Sequence, residues 1–219
     1  MKSNVLLGAA LLVSAYAMQS CNNLSNDTSK NKMDSSNSMH SNNITKDSAT
    51  MPAMNGMGGT MMDIKLTGDF DHDFASIMIV HHQAAVDMAK VENAKGANAE
   101  MKTMADAIIK TQETEIGTFK GILKDYKMPE MKKEGGEMHN EMVETMNKMD
   151  AAMKAMKMTG DADKDFAMMM IPHHESAITM AEDQISHGKN LVLKKMAQKI
   201  IEDQSREIKQ FKSWLAKNN

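Results

Sequence analysis

The residues with the most chemistry to offer are four histidines in two adjacent pairs, His81-His82 and His173-His174. Methionines flank each pair at helical spacing, Met78 and Met88 around the first and Met170 and Met180 around the second. Imidazole nitrogen and thioether sulfur together suit copper, most readily Cu(I), whereas imidazole alone also suits Cu(II), zinc and nickel. Neighbouring side chains on a helix point about 100° apart, so adjacent histidines do not easily close on one ion. A site is more easily built from one histidine of each pair, brought together across a pseudo-twofold axis, with thioethers completing the ligand set. A single inward histidine is more often a hydrogen-bonded core residue than a ligand, and methionines at helical spacing are core by default. It is the repeated pairing, each time within a turn of methionine, that points to metal.

A second polar set lies on the apolar face of the helix that follows each pair: Gln112 and Glu115, matched by Gln204 and Glu207. A carboxylate on a buried face is costly unless it is paired or bound to metal. Three explanations stand. Glu115 and Glu207 accept the spare N–H of the histidines and fix their tautomer. Alternatively, they ligate directly, as in a di-metal carboxylate oxidoreductase using iron or manganese, although the Glu-x-x-His signature of such bundles is absent. Or they are exposed at a bundle edge.

The elements that must position these residues are themselves a repeat. From Lys65 to Asp125, 28 of 61 positions are identical to those 92 residues further on, so the chain carries an internal duplication. The first repeat, about 65–127, predicts helices over about Asp71 to Asn93, with acids at its start and Gly96 at its end, and over about Asn98 to Tyr126. The second, about 157–219, predicts helices over about Asp163 to His187 and Asn190 to Lys217. Between them, about 137–157, Met138, Met142, Met146, Met149, Met153 and Met156 recur at three- and four-residue steps, one methionine stripe on one helix face, with His139 beside it. There is no strand pattern. The expected fold is an all-α bundle over 63–219, of the four-helix type: two duplicated helical hairpins plus a Met-rich linking helix.

The remaining features bound the setting. A formal net charge of −3 argues against a nucleic-acid partner. There are 27 methionines against 4% aromatics, a composition that serves either packing or soft-metal ligation. Lys2, the apolar run Val5 to Ala17 and Ser20 before Cys21 read as a lipoprotein export signal over 1–20, too short for a permanent span. Cys21, the sole cysteine, is the expected lipidation site, which implies a membrane anchor at the cell envelope, on the outer membrane facing the periplasm. Residues 21–62 are rich in Ser, Asn and Met without apolar periodicity and read as a disordered tether. No nucleophile–base pair, phosphate loop or zinc-finger spacing is present, so the chain is not expected to be an enzyme.

The pattern Asp-Phe-x-x-x-Met-Ile-x-His-His-x-x-Ala-x-x-Met-Ala, at Asp73 to Ala89 and again at Asp165 to Ala181, resembles the signature of a ferritin-like family of exported bacterial proteins. That family, long of unknown function, includes the CopM-type periplasmic copper-binding proteins. The resemblance runs from about Met62 to Asn219. It implies a helical bundle outside the cytoplasm and copper binding for sequestration, resistance or homeostasis, with copper transport or resistance proteins as partners. Val80 departs from Pro172 of the partner motif. A structural or adaptor bundle that binds no metal is the alternative from a different class.

Overall fold

A computed structural model describes residues 64–128 and 136–218, the side chains of 136–140 excepted. Cys21, the export segment and the tether lie outside the described residues, as do the side chains of Met138 and His139. The described residues form five helices and no strand: α1 (Phe70–Lys95), α2 (Ala99–Asp125), α3 (Gly136–Ala155), α4 (Ala162–His187) and α5 (Leu191–Asn218). The fold is an all-α bundle of two helical hairpins, α1–α2 and α4–α5, with the Met-rich α3 between them in sequence. None of these helices is long and apolar enough to cross a membrane.

Each hairpin is built by the same local chemistry. Asp69 caps α1 by accepting from the N–H of His72, and Asp161 caps α4 through that of Lys164. Gly96 and Gly188 end these helices, each donating its N–H back to residue 92 or 184. Asn98 and Asn190 then cap α2 and α5 after loops of a few residues. Ahead of α1 and α4, Gly68 and Gly160 adopt φ of 89° and 82°, where a side chain would be strained. The carboxylates of Asp73 and Asp165 fasten those turns by accepting from Thr67 and Gly68, and from Thr159 and Gly160. Helix α4 runs unbroken through Pro172, so the departure from Val80 leaves the element intact.

The hairpins are laced together by a reciprocal exchange. Asp71 of α1 accepts from the backbone N–H groups of Lys189 and Asn190, at the start of α5. Asp163 of α4 accepts from those of Ala97 and Asn98, at the start of α2. Each carboxylate thus satisfies donors that a helix N-terminus leaves open and sits at its positive end. Inside, Phe74 meets Phe119 edge-on at 5.9 Å and Phe166 meets Phe211 at 5.5 Å, one aromatic pair per hairpin. Met142, Met146, Met149 and Met153 bury their stripe in the same core, and Met156 is partly buried against it.

Candidate metal centre

The two histidines of each pair face different neighbours. His81 on α1 and His173 on α4 meet across the repeat interface, with ring centroids 3.8 Å apart. His82 and His174 turn toward their own hairpin partner. His82 Nε2 lies 3.0 Å from the Glu115 carboxylate on α2, and His174 Nε2 lies 2.8 Å from the Glu207 carboxylate on α5. All four imidazoles are completely buried. The divergence of adjacent residues on a helix thus yields one inter-repeat pair and two intra-hairpin His–Glu pairs.

The hydrogen bonds determine which nitrogen of each ring is free. A carboxylate only accepts, so Glu207, hydrogen-bonded to His174 Nε2, holds that ring's proton there, whereas Glu115 stands 3.0 Å from His82 Nε2 as an ion-pair contact without hydrogen-bond geometry. His81 Nε2 lies 2.8 Å from the Ser176 hydroxyl. That hydroxyl has one proton and two neighbours that only accept, the His173 carbonyl at 2.7 Å and the Met149 sulfur at 3.0 Å. The carbonyl, being nearest, takes the proton, and His81 donates through Nε2–H. The Nδ1 atoms of all four rings make no hydrogen bond, nor do Nε2 of His82 and Nε2 of His173. Buried, unpaired ring nitrogens are costly unless something else uses their lone pairs.

Electrostatics keeps the inter-repeat pair neutral. Burial, followed by the neighbouring imidazoles of His173, His82 and His174, holds His81 well below the usual histidine range. Burial, with His174 and His82, does the same for His173. Neutral imidazoles are the form that ligates a metal.

The structure also places the other residues singled out from the sequence. Met78, Met170, Met180 and Met88 are all buried in the core. Met78 and Met170 stand three and four residues before their histidines, on the same helical surface. Gln112 and Gln204 are buried, and Gln112 Oε1 and both polar atoms of Gln204 lack a partner. Glu115 and Glu207 are not in mid-core. Their side chains keep 12% and 13% exposure, at the edge where solvent still reaches the carboxylate. Among the described residues no three His, Cys, Asp or Glu side chains converge to hold an ion. The groups brought together at the repeat interface are buried imidazoles, with buried methionines on the same helices, a chemistry that suits a soft ion.

One residue at the site was not found from the sequence, and another was named there only as a member of the methionine stripe. Ser176 replaces the Ala84 of the first repeat, so comparing the repeats conceals it. Met149, which Ser176 touches, is one of several equivalent stripe positions and nothing in its spacing distinguishes it.

The family described as "Domain of unknown function (DUF305)" matches the chain twice, over residues 15–123 and 71–215. No curated protein matches it. Among solved structures, CopM in its apo form is 30% identical with a TM-score of 0.51, covering 67% of this chain and 96% of that one. CopM in the Cu(I)-bound form is 29% identical with a TM-score of 0.50, covering 67% and 96%. A DUF305 protein of Streptomyces coelicolor, described as secreted, is 25% identical with a TM-score of 0.55, covering 69% and 95%.

Proposed function

Because the chain belongs to the DUF305 family, and is similar to CopM, a protein crystallised with Cu(I) and with Cu(II), we propose that it is a non-enzymatic copper-binding protein of the cell envelope. The observation that carries this reading is the close, tilted approach of His81 and His173, neutral and buried, with Nδ1 of His81 and both nitrogens of His173 making no hydrogen bond. These two rings ligate copper across the repeat interface, and His82 and His174 add imidazole donors on either side. Met78, Met88, Met170 and Met180 supply thioether sulfur, which favours Cu(I). Glu207 holds the His174 ring in one orientation and tautomer, Glu115 stands beside His82, and the Nδ1 lone pairs stay available. No proton need be displaced from the inner rings at neutral pH, so capture and release do not depend on an acid–base step there.

In this reading the protein sequesters copper, or passes it to copper transport or resistance proteins. The secreted relative supports a location outside the cytoplasm. Lipidation at Cys21 anchors the bundle to the outer membrane on its periplasmic side, with 21–62 as the tether. Methionine is apt there, because thiolates exposed to an oxidising compartment are lost to disulfides.

The test is competition for Cu(I) against a chromophoric chelator, using the full chain with Cys21→Ser so that no thiol contributes. A variant with His81, His82, His173 and His174 all changed to Ala runs beside it. Stoichiometric binding that disappears in the variant is expected. Equal binding by both would move the site to the α3 methionines, and no binding by either would leave a structural bundle.

A further inference from the structure

We propose that copper reaches the inter-repeat histidines through the groove between α3 and α4, and that Met149 at its floor is the first side chain to take the ion. The proposal rests on the copper reading above. The groove has a volume of about 350 Å³, with Lys148, Met149 and Ala152 on the α3 wall and Pro172, Ser176 and Thr179 on the α4 wall. Ala152 lies three and four residues beyond Met149 and Lys148, and Pro172, Ser176 and Thr179 lie at four- and three-residue steps, so each wall is a single helix face. Ala152 and Thr179 stand at the exposed rim, whereas Met149 and Ser176 are buried beneath it.

What makes this groove a path is its floor. Ser176 bridges the two components of the site: its oxygen is 2.8 Å from His81 Nε2 and 3.0 Å from Met149 Sδ. The sulfur that borders the groove is therefore one hydroxyl away from the buried ring pair. A thioether is a soft, neutral donor on a flexible stem, able to bind Cu(I) weakly and turn inward with it. With its proton on the His173 carbonyl, the hydroxyl only packs against that sulfur, which leaves the thioether lone pairs open to copper. The corresponding position in the other repeat, Ala84, has no hydroxyl. The pseudo-twofold bundle is thereby given one sided access.

The test separates rate from affinity. Ala152→Trp and Thr179→Trp fill the groove from opposite walls without touching a ligand, and Ala151→Trp, outside the groove on the same helix, is the control. Met149→Leu removes the sulfur at nearly constant volume. Copper transfer from the coloured Cu(I)–bicinchoninate complex to the full chain is followed by stopped flow, and affinity by equilibrium competition. The filled-groove variants and Met149→Leu are expected to load roughly ten-fold more slowly while the equilibrium affinity stays within about two-fold, as for a gate. Ala151→Trp is expected to match the parent. Loading at the parental rate by either folded filled-groove variant would overturn the proposed path. A parent protein that takes up no copper at all would overturn the copper reading itself, an outcome distinct from the first.

Discussion

At the scale of single residues, the site leaves each imidazole at least one ring nitrogen that no hydrogen bond uses. Nε2 is bonded to Ser176 in His81 and to Glu207 in His174, faces Glu115 in His82 and is free in His173, and Nδ1 is free in all four. This gives the acidic residues a measurable role that is not ligation. Glu115→Ala or Glu207→Ala is expected to weaken Cu(I) binding by about ten- to a hundred-fold, as loss of an orienting partner does. Glu207→Ala also leaves the buried His174 N–H without an acceptor, at a cost of about 1–3 kcal/mol in urea unfolding. Retention of a helical spectrum and of copper stoichiometry would distinguish an orienting glutamate from a ligand, whose loss abolishes binding. The histidine pairs and their methionines were legible in the sequence because chemistry and helical spacing coincide there. Ser176 was not, because a lone serine on a helix carries no pattern, and its significance comes only from facing His81 across the bundle.

At the scale of the elements, helix positions followed from periodicity and stop residues, and the observed ends fall within a few residues of those expected. What periodicity could not supply was how the hairpins are joined. Asp71 and Asp163 look like helix-start acids, yet each serves the opposite hairpin, a long-range contact that no local signal encodes. Asp163→Ala is expected to destabilise by about 1.5–3 kcal/mol, the range for hydrogen bonds to a charged group, measured by urea unfolding. A value near zero would mean that the reciprocal caps contribute nothing to joining the repeats. The methionine stripe of α3 illustrates the same limit. Its burial was expected from spacing, and Met149→Leu, which conserves volume, is expected to cost less than about 1.5 kcal/mol.

At the scale of the whole molecule, the duplicated bundle carries one substitution that makes its stability depend on pH. In the second repeat, the Gln184 amide donates to Asp71 at 2.6 Å. In the first, Glu92 takes that place, facing Asp163, with Lys102 and Asp161 near. Burial, with the Asp163 carboxylate, pushes Glu92 up to about 8 from an ordinary 4.5, so at neutral pH it keeps a proton and donates as Gln184 does. The folded chain holds that proton between 4.5 and 8 while the unfolded chain has lost it, so stability falls as pH rises through this window. His81 and His173 act oppositely. Their folded values lie well below 6.5, so the unfolded chain gains protons that the fold refuses, and stability is lost as pH falls below 6.5. Glu92→Gln is expected to remove the alkaline-side decline and to raise stability at pH 8 by about 1–3 kcal/mol, leaving the acid-side loss in place. Urea unfolding across pH 5 to 9 reads both slopes, roughly 1.4 kcal/mol per unit pH for each whole proton. An unchanged slope above pH 7 in the variant would exclude Glu92 as its source.

The central claim is that copper sits between His81 and His173 with sulfur beside it. X-ray absorption at the copper edge of the Cu(I)-loaded Cys21→Ser chain tests it most directly. The account predicts a first shell of imidazole nitrogen together with thioether sulfur, whose imidazole scattering falls when His81 and His173 are both changed to Ala. A shell of sulfur alone in the parent, or a spectrum unchanged by those two substitutions, would contradict it.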